Sequence, residues 1–298
     1  MYDTHCHLPS SSSSSYTKPP FPVIPQCTNH FDLKNLPKIV NVGIHPWFCH
    51  LYTLSSIPIT KEDHYNSILT FPKKIQKEEL DQFIKLLPDP IPLQSVLDEI
   101  AEKLKDPFVN LGEIGLDKSF RLGHPNGGLS NFKVSIAHQK SVMSAQLRLN
   151  FKWVSIHCVN AIGNIVELLK DVKDPVVLHS YSGSIDSVNQ LNRLNCSIWF
   201  GFSECINLNQ ERCQLSVNGQ QSLFDKEISL DDKTLKLINT IGNRLLIESD
   251  LPLDCDHYNE RIQWLSTLMK NQNVDIFNNW KNFQLEIGLD YDKQWDYI

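Results

Sequence analysis

The chain lacks long apolar runs, paired cysteines and an excess of positive charge, and each absence excludes a class of protein. No stretch approaches the roughly 18 apolar residues of a membrane span. The eight cysteines are scattered, without a C-x-x-C pair, so reduced thiols are expected rather than disulfides. With a formal net charge of −6, the chain offers no domain-wide basic field to hold nucleic acid by electrostatics alone.

These absences also give an expectation for the compartment. No secretory leader is recognised, because Met1 leads directly into a predicted strand and then into a run of serines. Together with the scattered cysteines, this predicts a cytoplasmic or nuclear protein that does not enter a membrane.

What is present is a regular alternation of short apolar runs and amphipathic segments. Seven runs are predicted as strands, among them "KIVNVGIH", "FVNLGEIGLD", "PVVLH" and "RLLIESD". The segment "PLQSVLDEIAEKL" repeats its apolar residues at helical spacing. Such alternation predicts an α/β protein with a parallel sheet. For 298 residues the favoured architecture is a TIM-type (β/α)8 barrel forming one domain over 1–298, with the eighth strand in the region before Pro92.

Three regions interrupt the alternation and are predicted as surface loop insertions. Residues 10–26 are rich in serine and proline, residues 51–90 are polar and punctuated by proline, and residues 205–230 are rich in Gln, Asn and Ser. Such compositions are typical of loops.

Metal-competent side chains stand at the ends of five predicted strands. In "YDTHCHL", Asp3, His5 and His7 share one side, because alternate residues of a strand face the same way. Barrel enzymes place their chemistry at the C-terminal ends of the strands. Imidazole and carboxylate groups that converge there are natural ligands for divalent metals. The predicted ligands are His5, His7, Glu113, His157, His179 and Asp250.

Taken together, these motifs resemble those of the TatD family of metal-dependent deoxyribonucleases. "YDTHCHL", "VGIHPW", "GEIGLD", "IHCVNA", "LHSYSGS" and "LLIESDLP" occur in family order. The stretch "GEIGLDKSFR" is most similar to a fungal branch, some of whose members are described as partners of mitotic proteins. The resemblance implies a TIM-type barrel that holds one to three divalent ions. Two ions of zinc, magnesium or manganese are predicted for this chain.

The resemblance also implies a role for each ligand. The two histidines of "YDTHCHL" and Asp250 hold one ion, His157 and His179 hold the other, and Glu113 bridges the two. Asp250 is placed to accept a proton from the attacking water. Asp250 and Glu113 are therefore the predicted catalytic residues.

One position departs from the family pattern. Val159 stands where many members carry an arginine suited to binding phosphate. Lys118 and Arg121 are predicted to supply the replacement charge, and His45 is predicted to contact substrate or to support a ligand. Trp47 is expected to pack against the barrel rim.

Several other histidines and cysteines are predicted to have structural roles. Cys6 and Cys158 flank predicted ligands and are expected to face the core. His64 and His138 belong to a group of histidines predicted to lie on the surface or on helices.

The expected function is a metal-dependent hydrolase, specifically a 3'-5' exonuclease-like deoxyribonuclease that cleaves DNA with a metal-activated water. Two alternatives stay open. Val159 and the acidic net charge favour hydrolysis of another ester, a lactone or an amide. A non-catalytic barrel could instead bind a protein partner through the loops at 8–38 and 51–90.

Overall fold

Eight strands pair in parallel in this computed structural model, which describes residues 1–9, 18–124, 127–208 and 230–296. The order of the strands in the sheet follows their order in the chain. They are β1 (Asp3–His7), β2 (Val23–Gln26), β3 (Val40–Val42), β4 (Val109–Asp117), β5 (Val154–Val159), β6 (Val176–Leu178), β7 (Ile198–Ser203) and β8 (Leu245–Glu248).

Backbone hydrogen bonds join the two edges of this sheet. The Asp250 N–H donates to the His5 carbonyl at 2.9 Å, and the His7 N–H donates to the Leu251 carbonyl at 2.8 Å. His7 and Pro252 also form a parallel bridge. The sheet therefore closes on itself, which confirms the predicted TIM-type barrel.

Helices occupy most connections between the strands and cover the barrel. The helix predicted in "PLQSVLDEIAEKL" is confirmed, since Leu93, Val96, Leu97 and Ile100 are buried on one face. Among the described residues, no helix has the length and apolar character that a membrane span requires. The α-helices are α1 (Lys61–Ile68), α2 (Lys77–Leu86), α3 (Leu93–Lys103), α4 (Ile136–Gln146), α5 (Ile162–Leu168), α6 (Ile185–Leu191), α7 (Glu204–Asn207), α8 (Asp232–Ile241), α9 (Tyr258–Asn271), α10 (Ile276–Ile287) and α11 (Tyr291–Asp296).

The eighth strand lies where the sequence predicted a loop. Strand β2 comes from the serine- and proline-rich region, and all four of its residues are buried between β1 and β3. Pro25 lacks an N–H, and proline normally argues against a central strand. The strand tolerates this proline because it is short and aligns with β3 only through Gln26 and Asn41.

Residues 51–90 are inserted between β3 and β4, as predicted, but much of the insertion is helical and not a loop. The helices α1 and α2 form there, and they bury Tyr65, Ile68, Phe83 and Ile84. Besides their many lysines and glutamates, the two helices thus have an apolar face, on which Phe83 stacks against Phe132 with ring centroids 4.4 Å apart. Of the other two predicted insertions, residues 10–17 and 209–229 lie outside the described residues.

His64 and His138 lie on helices, as predicted, but they are buried. The His64 Nε2 bonds the His50 carbonyl at 2.9 Å, and the His138 Nε2 bonds the Cys49 carbonyl at 3.0 Å. Burial lowers the pKa of His138 to about 4. Through these hydrogen bonds the two neutral imidazoles stabilise the turn that follows β3.

A buried hydroxyl links the end of the chain to the barrel and makes the first testable prediction. Tyr291 is fully buried, and its hydroxyl accepts from Asn110 Nδ2 at 3.1 Å and from Trp153 Nε1 at 2.9 Å. The substitution Tyr291→Phe leaves two buried donors without a partner. We expect it to lower the free energy of unfolding by about 2 kcal/mol in urea denaturation.

Tyr65→Phe is the matched control for this prediction. Its hydroxyl donates to a single acceptor, the Pro88 carbonyl, at 2.9 Å. Loss of this one bond should lower stability by only about 1 kcal/mol. Equal losses in the two variants would contradict the account of Tyr291.

Candidate metal centre

The titratable side chains of the strand ends meet in one cavity of about 210 Å³, hereafter the bowl. It opens at the C-terminal ends of the barrel strands. His5 is fully buried and contacts the bowl through Glu113. The polar residues that line the bowl include His7, His45, Glu113, His157, His179 and Asp250.

The Glu113 carboxylate is the centre of this arrangement. Its Oε1 lies 2.8 Å from His179 Nε2, 3.0 Å from His157 Nδ1 and 3.2 Å from His45 Nε2. Its Oε2 lies 3.3 Å from His5 Nε2. One buried carboxylate therefore contacts imidazoles from four segments of the chain.

These contacts determine the charge of Glu113. Burial raises its pKa, but the positive charge of His179, together with the nearby imidazoles, outweighs burial and holds the pKa well below the usual range. The reverse holds for His179, whose pKa is lowered by burial but raised well above normal by Glu113 and Asp250. The bowl thus holds an ionised carboxylate at its centre.

Asp250 reaches the bowl because of barrel closure. Its backbone bond to β1 places Oδ1 at 3.2 Å from His7 Nε2 and 3.8 Å from His5 Nε2. Burial raises the pKa of Asp250, yet the charge of His179 and the bond to His7 bring it to about 2. Asp250 has φ 57°, a left-handed conformation unusual for a residue with a side chain. Such strain occurs at functional sites.

Glycine permits the close packing beneath the bowl. Gly115 lies between Glu113 and Asp117 on β4, with φ at +154°, and an added Cβ would meet the His157 carbonyl oxygen at 2.0 Å. A Cβ on Gly201 would meet Glu248 Oε2 at 1.9 Å. A side chain at Gly115 would push β4 away from β5, and one at Gly201 would displace the buried Glu248 carboxylate.

The donor set fits divalent cations. Three groups of residues each offer ligand atoms within 4.8 Å of one another. The buried atoms His5 Nε2, Glu113 Oε2 and His179 Nδ1 have no hydrogen-bond partner among the described residues. Buried polar atoms normally have partners, and imidazole with carboxylate suits zinc, manganese or magnesium. The groups are His5, His179 and Asp250; His5, His7 and Glu113; and His45, Glu113 and His157.

The structure brings all six predicted ligands together. His45, predicted to contact substrate or to support a ligand, lies as close to Glu113 as the predicted ligands do. Lys118 lines the adjoining cavity, which shares His179 with the bowl. Arg121 is not brought to the bowl, because it lines a separate cavity with Lys133. The roles of these residues stay predictions.

Asp117 has contacts that the sequence did not reveal. Its Oδ2 accepts from Trp47 Nε1 at 2.8 Å and lies 3.4 Å from His157 Nε2. Its Oδ1 accepts from the backbone N–H groups of Ser119 and Phe120 at 2.7 and 2.9 Å. The carboxylate is thus fixed on the far side of His157 from Glu113. The sequence did predict Asp117 as a metal-competent carboxylate at the end of the strand "FVNLGEIGLD", on the same face as Glu113, but not its partners.

Trp47 and Cys158 have contacts that differ from those predicted. Trp47 packs on Phe120, with ring centroids 5.0 Å apart, as expected for a rim residue, but it also anchors Asp117. Cys6 is fully buried. Cys158 was predicted to face the core, but it is partly exposed and lines the bowl, because it lies near the end of β5.

A closed parallel barrel whose rim gathers histidines and carboxylates defines the class of metal-dependent barrel hydrolases. Within this class the family can be stated. The family model for TatD-related DNases matches residues 2–263, and the chain belongs to this family.

Two curated fungal proteins are similar in sequence. "Cut9-interacting protein scn1" of Schizosaccharomyces pombe is 33% identical over 221 residues, which cover 57% of this chain and 64% of that protein. "Uncharacterized deoxyribonuclease YMR262W" of Saccharomyces cerevisiae is 29% identical over 223 residues, which cover 63% of this chain and 68% of that protein. The chain thus spans about two thirds of each relative.

Two solved structures are distantly similar. A crystal structure of an uncharacterised amidohydrolase from Saccharomyces cerevisiae has a TM-score of 0.46 at 17% identity, covering 84% of this chain and 70% of that one. A TatD-family hydrolase from Entamoeba histolytica has a TM-score of 0.41 at 17% identity, covering 76% and 60%. The order of the strands and the closure of the sheet define the barrel without these similarities.

The position of Asp117 generates a prediction about metal affinity. Carboxylates behind a ligand histidine fix its orientation and its basicity. We expect Asp117→Asn to weaken zinc binding by about 10- to 100-fold in calorimetric titration. Asp292→Asn is a matched control, because Asp292 also accepts from an indole, that of Trp280, far from the bowl. Equal affinity in Asp117→Asn and the native chain would contradict this role.

The three buried ligand atoms without a hydrogen-bond partner generate a prediction about stability. In chelator-treated protein, zinc at a hundredfold excess over its Kd should raise the free energy of unfolding by about 2.7 kcal/mol. His179→Ala should lose most of this gain, since Nε2 and Nδ1 both face carboxylates. His30→Gln, a histidine outside the bowl that contacts Tyr52, should keep it. If zinc raised the free energy of unfolding of His179→Ala as much as that of the native protein, the proposed metal centre would be wrong.

Proposed function

We propose that this protein is a metal-dependent hydrolase that cleaves phosphodiester bonds of DNA. The observation that carries the proposal is the ionised Glu113, surrounded by four imidazoles at 2.8 to 3.3 Å beside Asp250. A cluster of this kind, at the C-terminal end of a barrel, has the composition of a divalent metal site.

The site would hold two ions, and Glu113 would be a ligand of both, because it belongs to two of the three ligand groups. Bound divalent ions supply Lewis acidity, which neutralises phosphate oxygens and lowers the pKa of water. The six ligands would be those of the sequence prediction, and His45 is available as a further donor through Nε2.

The chain's own residues would do the remaining work. Asp250 is ionised at neutral pH, since its pKa is about 2, and it lies beside the partly exposed His7 at the mouth of the bowl. It can accept a proton from the attacking water. Glu113 is buried and keeps its charge throughout, so it can hold the four imidazoles in place.

The proposal that DNA is the substrate rests on the family and on a positive charge beside the bowl. One relative is named a deoxyribonuclease. Lys118 lines the cavity beside the bowl and can contact phosphate in place of the family arginine that Val159 replaces. Arg121 would contact only phosphates of the DNA strand that lie farther from the bowl. We further propose release of nucleotides from the 3' end, as the family resemblance implies.

A second function, binding of a protein partner, is supported by the surface. The other relative is named for its interaction with Cut9. Large apolar side chains are exposed in the region of α1 and α2, with Ile57 72% and Leu54 49% exposed. Exposed apolar groups mark interaction sites when they cluster. On this proposal Ile57→Ser would weaken partner binding without changing hydrolysis.

Domain organisation and compartment are proposed on similar grounds. We propose that residues 1–298 act as one catalytic domain, because strands from both ends of the chain supply the bowl. Five of the described cysteines are free thiols, namely Cys6, Cys27, Cys49, Cys158 and Cys196. This supports a reducing compartment, the cytoplasm or the nucleus.

The role of Asp250 gives the decisive prediction. With Mn²⁺ or Mg²⁺, the native protein should release nucleotides from single-stranded DNA, and Asp250→Asn should lower the rate by about 10²- to 10⁴-fold. Asp292→Asn, remote from the bowl, should keep full activity. Undiminished hydrolysis in Asp250→Asn, or intact DNA with the native protein and every metal, would refute the proposed function.

A further inference from the structure

Ser180 lies where three segments of the chain meet at the edge of the bowl. It follows β6 and lines the bowl, although only 7% of its surface is exposed. Its hydroxyl donates to Asp250 Oδ2 at 3.2 Å and lies 2.7 Å from Ser203 Oγ. Ser203 is the last residue of β7 and is fully buried. The Ser180 hydroxyl therefore connects the carboxylate of Asp250 to the end of another strand.

The charge of Asp250 determines the direction of these hydrogen bonds. An ionised carboxylate can only accept, so the single proton of the Ser180 hydroxyl is used in the bond to Oδ2. The Ser203 hydroxyl must then donate to Ser180. Ser203 Oγ in turn accepts from the Ile206 N–H at 3.4 Å. All donors in this row point toward Asp250, and a hydrogen bond to an ionised acceptor is stronger than one between neutral groups.

The backbone on both sides of Ser180 is held by the barrel. The His179 N–H donates to a carbonyl of β5 at 3.1 Å, and the Tyr181 N–H donates to a carbonyl of β7 at 2.9 Å. The Ser180 N–H donates to the fully buried Glu248. Ser180 has φ 44°, in the left-handed region, which glycine adopts more easily than serine. The turn by itself therefore does not require a serine.

The bond to Ser180 fixes the orientation of the Asp250 carboxylate. While Oδ2 is held by Ser180, Oδ1 lies 3.2 Å from His7 Nε2 and 3.8 Å from His5 Nε2. Without the bond to Oδ2, only the contacts of Oδ1 would hold the carboxylate, and the last torsion of an aspartate side chain has a broad energy profile. Rotation about this torsion would move Oδ1 away from the imidazoles with which it could share a cation.

We propose that Ser180 is a positioning residue for Asp250, because its hydroxyl holds the carboxylate in the orientation that metal binding and proton acceptance require. This inference rests on the proposed function and adds a residue to the machinery of the same site. Ser180 acts through Asp250 and takes no part in bond cleavage. Loss of the hydroxyl should therefore weaken metal binding and slow turnover without changing the affinity for DNA.

The variant Ser180→Gly removes the hydroxyl and suits the left-handed turn, so it separates these two features of Ser180. In calorimetric titration of chelator-treated protein, the Kd for zinc should rise about tenfold. With saturating Mn²⁺ and a single-stranded oligothymidylate, kcat should fall about tenfold, while KM should stay within about twofold of the native value. If only the turn mattered, glycine would preserve all three values.

Ser130→Gly is the matched control. Ser130 is as buried as Ser180, and its Oγ accepts from the Phe132 N–H at 3.1 Å in a turn that does not line the bowl. This variant should keep the native zinc Kd, kcat and KM. Losses in Ser130→Gly equal to those in Ser180→Gly would contradict a specific role for Ser180.

A double variant tests whether Ser180 acts through Asp250. In the Asp250→Asn background, Ser180→Gly should change the zinc Kd and kcat by less than about twofold, because the charged acceptor of the hydroxyl is already lost. A further tenfold loss in this background would show that the two residues act independently and would overturn the proposal.

The two measurements separate this inference from the proposed function. If the native protein binds zinc but leaves DNA intact, the proposed function is wrong. An unchanged zinc Kd in Ser180→Gly would then overturn the positioning role as well, and a tenfold rise would support it. If the native protein hydrolyses DNA and Ser180→Gly keeps the native Kd and kcat, only the positioning role is overturned. If the native protein neither binds zinc nor hydrolyses DNA, both proposals are wrong.

Discussion

The contact between one buried carboxylate and four imidazoles is the constraint on which the site depends. Glu113 reaches His5, His45, His157 and His179, which come from four segments of the chain far apart in sequence. An isolated buried charge is very unfavourable. The carboxylate is stable there only because cationic or hydrogen-bonding groups surround it. The same crowding of donors leaves nitrogen and oxygen atoms free for a cation.

Barrel closure connects this chemistry to the fold. The bonds between β1 and the segment after β8 both complete the sheet and bring Asp250 against His7. Loss of closure would therefore damage stability and the site together. The left-handed residues Asn160, Ser180 and Asp250 all lie just beyond strand ends. Ser180 and Asp250 line the bowl, and functional sites are a common location for backbone strain.

The sequence determined the barrel and the predicted ligands. Strand alternation and the residues at strand tips suffice for this, because parallel strands of a barrel end at one rim. It did not predict β2, since Pro25 conceals a strand whose burial only the neighbours β1 and β3 supply. It also missed the apolar faces of α1 and α2, which polar residues obscure.

Tertiary structure decided the contacts across strands. Only the structure placed Asp117 behind His157, His45 against Glu113, and Lys118 and Arg121 in different cavities. Local sequence specifies which side chains leave the end of each strand. Distances between side chains of different strands depend on register and closure, and these arise only when the whole sheet has formed.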